Sequence, residues 1–161
     1  MSTARAILYG TLTVGTLDGL DAIVFFGLRG ASPVRIFQSI AGGLLGRAAW
    51  VSGGLPTAAL GLVVHYFIAF VIVTTFVLAS KRLTVLTRHP IWSGLLYGVG
   101  VYLVMNLIVI PLSALGRGAF VLPVVANGVL IHMFGVGLPS SLFARAARGG
   151  VGAGQPQGAS R

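Results

Sequence analysis

Few residues in this chain can do chemistry. Asp18 and Asp21 are its only two carboxylates, and they stand three apart in the stretch TLDGLDAIVFF. His65, Asn106, Asn127 and His132 lie singly inside other long apolar runs. Carboxylates at i and i+3 share one face of a helix and can share a proton. An aspartate and a histidine within reach can pass a proton between them. Two histidines on different helices can ligate haem or a metal from opposite sides. What decides among these is where the elements carry the side chains.

Composition sets the class of those elements. Of 161 residues, 56% are hydrophobic and 8% charged, with a mean hydropathy of +0.97. Soluble domains carry about 25% charged residues. The chain therefore reads as an all-α integral membrane protein, a single helical domain over residues 1–148. Cysteine is absent, which excludes disulfide and thiolate chemistry. The net charge of +9 comes from cations placed singly or in pairs between apolar runs. Lys and Arg take such positions beside a bilayer, so the partner indicated is lipid, not nucleic acid. No P-loop, GxSxG or dinucleotide fingerprint is present, and the glycine-rich GVGVYLV and GGLLG sit in apolar runs. Nothing here names an enzymatic reaction.

Roughly 20 apolar residues cross the hydrocarbon as a helix. Runs of that length occupy Ala6–Leu28, Thr57–Ser80, Ile91–Ser113 and Leu122–Ala144. None alternates polar and apolar residues as a barrel strand would. The first run is too long, and too interrupted by aspartate, for a signal peptide, whose apolar core is about 7–15 residues. Between the first two spans, Ser32-Pro33 is a helix start, followed by Ile36, Phe37, Ile40, Leu44 and Leu45 at helical spacing. That segment predicts a short interfacial or re-entrant helix, with Gln38 among its polar positions. The tail 149–161, GGVGAGQPQGASR, predicts disorder. Four spans put both termini on one side. That side collects seven cations against four on the other, which predicts cytoplasmic termini.

Counting from the outer end of each span places Asp21, His65, Asn106 and His132 roughly 10–15 Å below one face. Asp18 lies one turn deeper, and Asn127 nearer the outer end. Because ionisable groups in hydrocarbon seek partners, this layer predicts one buried cluster of Asp18, Asp21, His65, Asn106 and His132. Asn127 and Gln38 are secondary polar positions. Gly15/Gly19, Gly42/Gly46 and Gly94/Gly98 predict close helix packing, within the bundle or in a homo-oligomer. Pro111 and Pro139 each remove a backbone hydrogen bond and predict kinks.

The motifs GLVVHYFIAFVIV, SGLLYGVGVYLVMNLIVIPLS and ANGVLIHMFGVGLP, loosely spanning Gly61 to Pro139, resemble the small four-span bacterial inner-membrane proteins of the YagU-like kind. The resemblance implies a compact membrane bundle and no particular reaction. Three functional readings follow from the cluster. The first is a non-enzymatic binding or accessory component, with no cofactor required, that belongs to a larger membrane complex. The second is a small transporter or proton conductor working through Asp18, Asp21, His65 and His132. The third is a haem- or metal-binding redox subunit using His65 and His132.

Overall fold

The computed structural model describes residues 1–152 apart from Arg117. Among them are four helices long and apolar enough to cross a membrane: Thr3–Gly27, Gly54–Arg82, Pro90–Leu112 and Leu122–Gly149. No sheet occurs among the described residues. The expected all-α, four-span architecture with an extra helix after the first span is what the chain forms. The disorder expected for the tail falls, from residue 153 on, outside the described residues.

Local signals explain where the elements begin and end. Helix α1, Thr3–Gly27, starts at Ser2, whose hydroxyl accepts from the Arg5 N–H. Helix α2, Pro33–Leu45, starts the same way at Ser32, with Pro33 in its first turn. Gly46, at φ +86°, ends α2 in the left-handed region that favours glycine. A six-residue helix, α3 (Arg47–Ser52), follows and buries none of its residues. Gly54, at φ +65°, opens the long α4, Gly54–Arg82. A short α5, Val85–Arg88, leads into α6, Pro90–Val104.

Spans three and four share a feature that the prolines explain. Span three passes from α6 through a π turn, Met105–Val109, into α7, Ile110–Leu112. Span four passes from α8, Leu122–Ile131, through a π turn, His132–Gly137, into α9, Leu138–Gly152. Pro111 and Pro139 stand just beyond the two turns. A proline lacks the N–H for the carbonyl four residues back and presses its ring against it. Opening the ladder to five residues moves that carbonyl away, as in the bonds from Ile110 N–H to Met105 O and from Leu138 N–H to Met133 O. The expected kinks are thus taken up as widened turns.

The core lies where α1, α4, α6 and span four meet, and includes Val14, Val73, Phe76, Val77, Val101 and Val136. The Tyr97 hydroxyl donates to the Ile72 carbonyl at 2.7 Å and joins α6 to α4. Glycines set the closest approaches. Gly98 lies on the His132 carbonyl, and Gly94 and Gly137 face each other's backbone, so α6 meets span four main chain to main chain. Gly61 lets α2 lie across the N-terminal half of α4, against the Phe37 backbone. Buried Gln38 clips the two helices by donating to the Gly54 carbonyl at 2.9 Å, and Ala114 N–H holds the α2 end through Gly43 O. The start of α1 and the C-terminal half of α9 meet on one face, where the Met1 ammonium donates to Ala146 O at 3.4 Å.

Candidate functional site

The residues expected to form one polar cluster are placed on different faces. Glycine at positions 15 and 19 leaves α1 bare toward α4, and His65 fills the space, 9% exposed. Its Nε2 lies 2.7 Å from the Gly15 carbonyl, which can only accept, so Nε2 carries the hydrogen. Nδ1 faces the Asp18 carboxylate at 3.9 Å. Phe37 of α2 and Tyr66 meet the imidazole edge to face, and Tyr66 OH bonds Thr16 at 3.0 Å. This is a two-residue pair joining α1 to α4.

Asp21 turns toward α8 instead. Asn127 Nδ2 donates to its Oδ2 at 2.7 Å. The partner of Asp21 is therefore a residue that depth counting had set apart as lying nearer the outer end. Removing the amide leaves a carboxylate at membrane depth without its donor. Asn127→Ala is expected to lower stability by about 1–3 kcal/mol, with Asp21→Asn on top recovering part of the loss, read from denaturation in detergent. Equal stability of Asn127→Ala and the parent protein would refute the role given to the bond.

His132 and Asn106 turn back onto their own helices. His132 Nδ1 donates to Gly128 O at 2.8 Å, and Asn106 Nδ2 donates to Tyr102 O at 2.9 Å. Both sit at the start of a π turn, where the ladder changes register and leaves carbonyls to be satisfied. The single Asp/His/Asn cluster therefore does not form. Among the described residues no three His, Cys, Asp or Glu side chains gather where they could hold a metal. His65 and His132 each spend a ring nitrogen on a backbone carbonyl, and His65 aims the other at Asp18. The accessory component organised around a cluster, the four-group proton relay and the two-histidine haem or metal subunit all require that gathering, and all three readings fall with it.

A different group of residues does converge. At the end of the bundle away from Met1, α1, α2 and α3 border an open cavity of about 570 Å³ lined by Phe26, Arg29, Gly30, Ala31, Arg35, Ile36, Ser39, Arg47, Trp50 and Val51. Two of its guanidinium groups are oriented by main chain. Arg29 stacks on the Phe25 ring at 3.6 Å and donates to Phe25 O at 2.8 Å. Arg35 donates through Nη1 to Trp50 O at 3.0 Å and Val51 O at 3.2 Å. Arg47 is exposed. No carboxylate lines the cavity, and the chain's two aspartates are engaged by His65 and Asn127. In the sequence these arginines registered only as three cations on the less basic side. That surplus was the signal, and the intervening helices that fold it into one cavity concealed it. No family model, curated protein or solved structure matches this chain.

Proposed function

We propose that the protein binds an organic anion in the cavity of Arg29, Arg35 and Arg47. The observation that carries this reading is three arginines among the residues lining one cavity, with no carboxylate among its walls. Arginine suits such a role, since its planar fork matches carboxylate and phosphate oxygens. Size argues for an organic ligand over a bare ion. About 570 Å³ falls within the roughly 300–1,000 Å³ of small-molecule sites. A water claims only about 30 Å³. Charge placement supports cytoplasmic termini, and with that orientation the cavity opens at the outer leaflet, of a bacterial inner membrane if the resemblance to YagU-like proteins holds. Cations are disfavoured there by topology, and a binding role accounts for keeping three together.

The test is affinity for anionic and zwitterionic probes in a bilayer disc of neutral lipid, using short-chain phosphatidylglycerol, short-chain phosphatidylcholine and phenyl phosphate. A hydrogen bond to a charged group is worth about 1.5–3 kcal/mol, so Arg29→Ala or Arg35→Ala is expected to weaken anion binding by about 10- to 100-fold. A triple Arg→Ala protein that binds the anionic probes as well as the parent would overturn the proposal.

A further inference from the structure

One wall of the cavity is a short exposed helix seated on α2, with Trp50 against Gly42. Helix α3 buries none of its residues, yet it contributes Arg47, Trp50 and Val51 to the lining. Glycines bound it on both sides: Gly46 at φ +86°, and Gly53-Gly54 with Gly54 at φ +65°. A side chain rarely adopts such angles, whereas glycine crosses them freely. What holds the outer end of α3 is Arg35, through its Nη1 bonds to the Trp50 and Val51 carbonyls. Those carbonyls are neutral acceptors. A phosphate offers the same guanidinium a charge-assisted, two-pronged bond roughly twice as strong.

The remaining walls are apolar. Phe26, Ile36, Trp50 and Val51 share the cavity with the arginines. Just outside, Leu28 and Leu44 stand 83% and 64% exposed at the ends of α1 and α2. A soluble anion has no use for this surface, whereas a lipid does, with its headgroup on the arginines and its first methylenes along Phe26 and Ile36. Basic pockets at helix ends in the bilayer interface suit anionic headgroups.

Resting on the anion-site reading above, we propose that the occupant is a phosphate-bearing anionic membrane lipid, and that its headgroup enters by taking Arg35 from the α3 carbonyls. Helix α3 then swings on its flanking glycines and carries Arg47 and Trp50 with it. The exchange forms and breaks hydrogen bonds only.

Trp50 reports the movement directly. The chain has two tryptophans, Trp50 and Trp92. Trp92 lies in the first turn of α6, at the opposite face of the bundle. In Trp92→Phe protein, held in discs of phosphatidylcholine, titration with phosphatidylglycerol is expected to give a saturable change in Trp50 emission. Added phosphatidylcholine or inorganic phosphate is expected to give none. With Arg35→Ala added, the unliganded spectrum is expected to resemble the lipid-bound one, because α3 is already released. A response to inorganic phosphate that blocks the response to lipid overturns the lipid assignment. Anionic lipid that still binds in an arginine-dependent way while Trp50 emission stays fixed overturns the movement and leaves the anion site intact. Equal retention of anionic and zwitterionic lipid by the parent protein overturns the anion site itself.

Discussion

Gly98→Val is expected to be among the most damaging single substitutions in the bundle. A Cβ at position 98 would fall on the His132 carbonyl, 2.6 Å from the His132 carbonyl carbon and from Met133 Cα. These neighbours are main chain, so no rotamer change relieves the contact. Overpacking that side chains can absorb costs about 1–3 kcal/mol. Here α6 and span four must separate along the seam that also holds Gly94 and Gly137. The loss is expected at or above about 3 kcal/mol. Gly100, two residues on, supplies the control, because nothing lies within 4 Å of a Cβ added there. Gly100→Val should stay within about 0.5 kcal/mol of the parent, as surface substitutions do. Denaturation midpoints in mixed micelles separate the two, and equal midpoints would rule out the seam as drawn.

The second large effect belongs to His65. Phenylalanine there keeps a ring against Phe37 and Tyr66 but removes both polar contacts. Asp18 loses its partner and Gly15 O its donor. Leaving a buried acceptor or a part-buried carboxylate without its donor costs about 1–3 kcal/mol each. Asp18→Asn alone leaves the imidazole its Gly15 bond and should cost less. The double substitution Asp18→Asn, His65→Phe should be more stable than His65→Phe, since no carboxylate is then stranded at membrane depth. That coupling is the measurement, and strict additivity of the two changes would dismiss the pair. His132→Phe is the contrast. Its side-chain bond is to its own helix, so about 1 kcal/mol is expected.

The two results also mark what the amino-acid order discloses. Runs such as TAALGLVVHYFIAFVIVTTFVLAS announce a span because hydrocarbon thickness fixes the length of apolar helix needed. Ser32-Pro33 announces α2 because capping is a local event. Depth is legible only to about a turn: counting set Asp21 level with His65 and Asn127 apart, whereas Asp18 meets His65 and Asp21 meets Asn127. Direction around the helix is not legible. It depends on which neighbour a face packs against, and each π turn holds an extra residue that offsets one half of its span from the other. Asn106 and His132 sit at those offsets and face their own backbone as a result. The arginine cavity was hidden for a related reason. Arg29, Arg35 and Arg47 lie at the end of α1, in α2 and in α3, and only the fold of the connection brings them together. Gln38 likewise proved to be a clip between α2 and α4.

The commitment of both aspartates to internal partners has a consequence at the scale of the bilayer. With eleven Lys and Arg and two acids, the chain holds no carboxylate to spare for its cationic ends. Electroneutrality must then be met from outside, by lipid headgroups and dissolved counter-ions. Each cation near an anionic surface gains about 1 kcal/mol from it. Membrane composition and ionic strength are thereby thermodynamic variables of this protein. A bilayer poor in anionic lipid hands the whole counter-charge to salt, and the cost of embedding the protein rises as that salt is diluted.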